Sequence, residues 1–323
     1  GMIGRMKELK FPRGFLWGTS TSAHQVEGNT RNQWSEWEKK SAKRKAQSAK
    51  LRKWPDFILR THPSPLEEEN YISGAAARHY DRYEADFDLA KAMHNNAHRF
   101  SIEWSRIEPE EGKFNQIEIE HYRKVIRALR ARGLEPFVTL WHWTMPVRFT
   151  ELGAFEKWEN IKYFVRFCET VAEEFKDEVK FWIVLNEPNV YGGKSYLAGV
   201  WPPRKKNPFM FLKVMANLAE SHRGVYGALK NINAGFRIGA AYSVNHYEGV
   251  FAAPVRWFWN LRFLNAIKTH SDFMGLNYYY VKIVGGFGKK SEKNDMGWPI
   301  TPRGIYHSLK LMGRYGKPVY VTE

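Results

Sequence analysis

This chain is short of acids, of cysteine and of long apolar runs, and each shortage closes off a class of protein. Its single cysteine, Cys168, rules out an internal disulfide. The amphipathic frame around it, F-V-R-F-C-E-T-V-A-E-E-F, predicts a small core residue. No apolar stretch reaches the ~18 residues that a membrane-spanning helix needs. The start, Gly1–Lys7, has no apolar segment of the kind that secretory leaders carry, so a cytoplasmic location is expected. Also missing are G-x-x-x-x-G-K-[ST] and G-x-G-x-x-G, and His142 has no second His at metal-ligand spacing. The expectation is therefore no nucleotide, no cofactor and no metal.

The acid shortage is 34 acidic against 50 basic residues, a net charge of +16. Much of it is local. Lys39–Lys53 (K-K-S-A-K-R-K-A-Q-S-A-K-L-R-K) holds eight basic residues and no acid. A run of this kind binds nucleic acid, an anionic membrane or an anionic substrate, or it is the solvated face of a helix. The last is the expectation, and with it no specific nucleic-acid partner.

What the chain does have is alternation. Strand-like apolar runs are expected at 15–19, 97–102, 135–140, 181–185, 238–242, 273–276 and 319–322. Helical patterns are expected between them at 76–93, 116–132, 157–175, 209–231, 256–268 and 301–315. Gly133 and the Gly316-Lys317-Pro318 turn read as helix stops. Strands alternating with helices predict an α/β fold with a parallel sheet, a (β/α)8 TIM barrel of which about seven βα units are present. A single catalytic barrel over residues 1–323 is expected, with a basic insertion at about 29–72 in the first βα connection, lying over the barrel mouth.

Polar residues gather at the ends of these strands. Phe181–Val190 reads F-W-I-V-L-N-E-P-N-V, a buried strand that stops at Pro188 just after Asn186 and Glu187. By itself Glu187 is as readily a solvated loop residue as a catalytic one. Arg99 lies inside an apolar strand, where a charge must be paired; taken alone it reads as a structural ion pair. His142, between Trp141 and Trp143, suits either a satisfied structural role or a sugar ring, with its apolar faces and hydroxyl rim. Ala253–Phe263 is basic and aromatic; a barrel-packing helix is favoured over an interfacial membrane helix, because a strand follows at once.

Two strands end in carboxylates, Glu187 and Glu323, and the strand tops of a barrel surround one bowl. Two facing carboxylates are what glycosidic cleavage requires. The chain resembles family 1 glycoside hydrolases, the β-glucosidase and β-glycosidase family. The resemblance rests on F-L-W-G-T-S-T-S-A-H-Q-V-E-G, H-R-F-S-I-E-W-S-R-I-E-P, T-L-W-H-W-T-M-P, L-N-E-P-N, D-F-M-G-L-N-Y-Y, M-G-W-P-I and V-Y-V-T-E, in that order. It implies retaining hydrolysis of β-linked glucosides or related sugars by double displacement, with Glu187 as acid/base and Glu323 as nucleophile. It further implies that Arg99 and Tyr279 support Glu323, and that Gln25, His142, Trp143, Asn186 and Asn277 bind the sugar.

The family pattern continues past T-E with N-G and an eighth βα unit that carries a Trp and a Glu for the outer sugar hydroxyls; this sequence stops at Glu323. A truncated, weakly active or non-catalytic carbohydrate binder therefore stays open, as does a 6-phospho-β-glycosidase. An open barrel edge would be expected to be covered by a homo-oligomer.

Overall fold

The computed structural model describes residues 10–286 and 291–323; Gly1–Lys7, read above for a leader, lies outside the described residues. The strands form in the expected order: β1 (Gly18–Ser20), β2 (Ala97–Ser101), β3 (Glu135–Thr139), β4 (Phe181–Asn186), β5 (Arg237–Ser243), β7 (Phe273–Asn277) and β9 (Val319–Val321). All pair in parallel, each with its predecessor, in one curled seven-stranded sheet. Short β6 (His246–Glu248) and β8 (Val281–Ile283) make a separate parallel pair above it, which the sequence reading did not foresee. The sheet does not close among the described residues: β1 and β9 are its two edges. Both are partly exposed, whereas β2 and β7 are buried along their whole length.

The crossovers are helical: α1 (Gln33–Ala49) and α2 (His79–Ala92) after β1, α3 (Gln116–Ala131), α4 (Ile161–Glu174), α5 (Pro188–Gly192) and α6 (Pro208–Ile232). Beyond β5, Ala252–Arg256 turns through one π-helical stretch, Trp257–Leu261, into α7 (Arg262–Ile267), and α8 (Arg303–Gly313) precedes β9. This α7 region buries Phe263, Leu264 and Ile267 against the sheet, so it is the expected packing helix and not a membrane-lying one. Cys168 is fully buried in α4. No described helix is long and apolar enough to cross a membrane.

Two boundaries moved. The first strand starts at Gly18 and not at Phe15: Phe11, Phe15 and Trp17 instead meet one another in tilted and edge-on contacts, with centroids 4.6–4.7 Å apart. The basic insertion is largely helix. Asn32 caps α1 by accepting from the amides of Trp34 and Ser35. Ala42, Ala46 and Ala49 face inward, while Lys39, Lys40, Lys43 and Arg44 stand in solvent. Its charge is a solvated face, and only its amino-terminal end reaches the barrel mouth, where Gln33 exchanges hydrogen bonds with the backbone of Trp143 and Met145.

Period-two alternation sorts the strands into two surfaces. Phe100, Val138, Trp182, Ile238 and Met274 point outward into the layer shared with the helices. Ala97, Phe137, Ile183, Ala241 and Phe273 point into the bore, where Phe181 and Tyr320 join them. Phe137 stacks on Phe181 at 4.2 Å and meets Tyr320 at 5.3 Å. The bore therefore has an aromatic floor, and inward positions further along the strands carry Arg99, Thr139 and Asn277.

Candidate active site

Parity alone would turn Asn186 outward, since Phe181 and Ile183 face in. A register shift between Ile183 and Asn186 inserts one extra residue and brings Asn186 opposite inward-facing Ala241. The chain then turns sharply: Glu187 has φ 44° and ψ 55°, a left-handed conformation rare outside glycine, held by its amide donating to Ala241 O at 2.8 Å. Trp143, across the bowl, also has a positive φ of 73°. Strain at two non-glycine residues marks this rim as a place where side-chain direction outranks backbone comfort.

Arg99 is the hub. Buried in β2, it donates from Nη1 to Glu323 Oε1 at 2.7 Å and to Thr322 O at 3.1 Å, from Nη2 to Asn186 Oδ1 at 2.6 Å, and from Nε to Thr139 Oγ1 at 3.0 Å. Burial lowers its pKa and the charge of Glu323 opposes that. The ion pair expected from sequence is therefore present, and its partner is a strand-end carboxylate.

The remaining orientations follow from Arg99. Because Asn186 Oδ1 faces the guanidinium, its Nδ2 is free to donate to His142 Nε2 at 3.1 Å. That fixes His142 as the tautomer with its proton on Nδ1, and burial, aided by the charge of Arg99, keeps the ring neutral. Asn277 is set by Thr322, whose hydroxyl donates to Oδ1 at 2.5 Å; its Nδ2 then donates to Glu187 Oε1 at 3.1 Å and Asn186 Oδ1 at 3.2 Å.

The two carboxylates share this cluster in unlike settings. Glu323 is paired with Arg99 and accepts the Tyr279 hydroxyl at Oε2. Glu187 is 2% exposed, and among the described residues it has no ion pair. Burial, and next the charge of Glu323, push its pKa up to about 7. Tyr279 touches both, because its hydroxyl also lies close enough to Glu187 to favour that carboxylate's charged form.

Eight of the nine residues expected at the site thus converge on one bowl, with Trp143 and Tyr279 on its wall. Gln25 makes no hydrogen bond to this cluster among the described residues: it is exposed on the short helix after β1, and its Oε1 accepts the Ser22 hydroxyl at 2.7 Å. Sequence reading missed Thr139 and Thr322, which orient Arg99 and Asn277, although both lie on the inward parity of expected strands. From Glu187 a cavity of about 610 Å³ runs outward past Trp201, Leu197, Tyr280 and Trp298. No group of three or more potential metal ligands occurs among the described residues.

A parallel barrel sheet with two unlike carboxylates at its strand tops, one held by an arginine and one holding its proton, defines a glycoside hydrolase. The chain belongs to glycosyl hydrolase family 1, whose model matches residues 7–251. It is 29% identical over 371 residues to β-glucosidase A of Acetivibrio thermocellus, covering 98% of this chain and 79% of that one. It is 28% identical to β-glucosidase A of Thermotoga maritima, with the same coverage. Among solved structures it superposes on a β-glycosidase from Pyrococcus horikoshii with a TM-score of 0.82 at 35% identity, covering 97% of this chain and 76% of that one.

Proposed function

We propose that this hydrolase is a retaining β-glycosidase acting on β-glucosides or closely related sugars, with Glu323 as nucleophile and Glu187 as acid/base. One observation carries the reading: Arg99 and Tyr279 both bind Glu323, while Glu187 is buried with no ion pair among the described residues and its pKa is pushed up to about 7. A buried acid with a raised pKa is suited to donate a proton, and a carboxylate held by an arginine and a tyrosine is suited to attack.

In the first step a Glu323 oxygen attacks the anomeric carbon, the bond to the leaving oxygen breaks, and the Glu187 proton goes to that oxygen. In the second step Glu187, now a carboxylate, takes a proton from water as the water oxygen bonds to the anomeric carbon and the ester to Glu323 breaks. Esterified Glu323 is neutral, so the repulsion that helped raise the Glu187 pKa is relieved when base character is needed. Asn186 and Asn277 bind sugar hydroxyls beside the reacting carbon. The protonated Nδ1 of His142 and the Trp143 indole N–H are buried without partners among the described residues, as donors reserved for a hydroxyl rim would be. In one Thermotoga maritima β-glucosidase structure the molecule bound is deoxynojirimycin, which makes that compound a suitable competitor.

The test is turnover of 4-nitrophenyl β-glucoside followed by trapping with a 2-deoxy-2-fluoro-β-glucoside. Label on the Glu323 side chain, retention of the anomer by NMR, and loss of both in Glu323→Gln are expected. An inverted product, or label elsewhere, overturns the assignment.

A further inference from the structure

The outer half of the cavity carries a charge that hydrolysis of a neutral glucoside does not use. Lys194, on the turn after α5, and Lys282, on β8, come from separate elements and line the same wall as Glu187. Neither forms an ion pair among the described residues. Elsewhere in this molecule a lysine with a partly buried side chain does find a carboxylate: Lys230 meets Asp272 at 2.8 Å. Lys282 instead has its Nζ 5.6 Å from the centre of the Tyr280 ring, and its nearest charged influence is the like charge of Lys194, which with burial lowers its pKa. Among the described lining residues the acid is Glu187, whose pKa burial pushes up to about 7, so that at pH 6 it is mainly neutral. Lys282 is half-buried and Lys194 stands exposed at the cavity rim, so the inner cation lacks full hydration and an anion entering between the two would relieve their mutual repulsion.

The surrounding wall is aromatic. Trp298 packs on Tyr280 at 5.3 Å and on Tyr279 at 5.5 Å, with Trp201 opposite. A flat apolar body fits between such faces. Glu187 lines this cavity and Asn186, His142 and Arg99 do not, so with Glu187 as the proton donor the cavity is the space open to the departing group. We propose that Lys194 and Lys282 form a subsite for a leaving group with an aromatic body and a carboxylate substituent, so that the preferred substrates are glycosides of anionic aryl alcohols. The proposal rests on the acid/base role given to Glu187, because that role fixes which side is the leaving-group side.

The experiment uses two matched pairs at pH 6, where Glu187 keeps its proton. Binding is read by calorimetry with 4-carboxyphenyl and 4-carbamoylphenyl 1-thio-β-glucosides, which are not readily cleaved. Turnover is read as glucose released from the corresponding oxygen glycosides. The carboxylate is expected to bind about tenfold more tightly than the carboxamide, the worth of one or two charge-assisted contacts. That ratio should fall toward one in 1 M salt, partly in Lys194→Met and Lys282→Met, and fully in the double variant. Equal binding of the pair by the unaltered protein, or a preference that survives both the double substitution and high salt, overturns the subsite. The salt titration needs no variant, so a variant that fails to fold leaves the test standing. A binding preference without turnover would keep the subsite and remove the hydrolytic role; turnover without a preference would do the reverse.

Discussion

Replacing Glu187 with Gln should make the protein more stable at pH 8 while barely changing it at pH 4.5. The wild-type carboxyl ionises at an ordinary value of 4.5 when unfolded, but near 7 in the fold. Below 4.5 both states hold the proton and the group contributes nothing. As pH rises from 4.5 toward 7 the unfolded state gives up its proton first, so it binds fewer protons than the native state and stability falls. The loss is about 1.4 kcal/mol per pH unit and levels off above pH 7 at about 3 kcal/mol. Little solvent screening reduces it, because the residue is 2% exposed. Gln carries no charge to desolvate, and its Oε1 can still accept from Asn277 Nδ2, so the variant escapes this penalty while keeping the contact. Urea denaturation of both proteins at pH 4.5 and pH 8, with equal slopes, reads the difference directly. A stability gap that does not change between the two pH values would refute the reasoning, since it would mean that Glu187 titrates alike in both states. The same substitution should lower kcat/KM by about 10²–10⁴ for leaving groups that need protonation. It should cost far less for 2,4-dinitrophenolate, which departs without a proton. In the wild-type protein the kcat/KM profile should fall as pH rises through about 7, where Glu187 gives up its proton.

Glu108 anchors the loop after β2: fully buried, it accepts from the Trp104 indole at 2.8 Å and the Gly112 amide at 2.8 Å, and it faces Arg148 at 3.1 Å and Arg166. Glu108→Gln leaves two arginines against a neutral group and should cost about 3–5 kcal/mol, read as a lower denaturant midpoint; an unmoved midpoint would show that water already serves those arginines. Gly239 faces the bore floor, and a methyl there would come within 2.6 Å of Phe273 O and 2.7 Å of its ring. Gly239→Ala should therefore lose at least about 1–3 kcal/mol by overpacking, and a wild-type melting temperature would show that the floor has slack.

The pattern of apolar runs and helical periods was sufficient to place all seven barrel strands within about three residues at each end, because each is a short buried segment bounded by turn residues. It was also enough to find both carboxylates, since Pro188 stops the strand that ends in Asn186-Glu187 and Glu323 directly follows the apolar run 319–322. The basic run was legible as a helix face, because Ala42, Ala46 and Ala49 recur at helical spacing among the lysines. The β6–β8 pair was not legible: three-residue strands 35 positions apart carry no periodicity of their own.

Sequence by itself fixed which residue types stand at the strand ends, since parity and strand length are local properties of the backbone. It could not say that Asn186 faces inward, because the register shift that turns it depends on pairing with β5. Nor could it name the carboxylate that Arg99 pairs with, for that partner arrives 224 positions later. The unlike characters of Glu187 and Glu323, and the meeting of Lys194 with Lys282, are likewise tertiary facts: desolvation and charge coupling depend on distance through space, and only the curling of the sheet sets those distances.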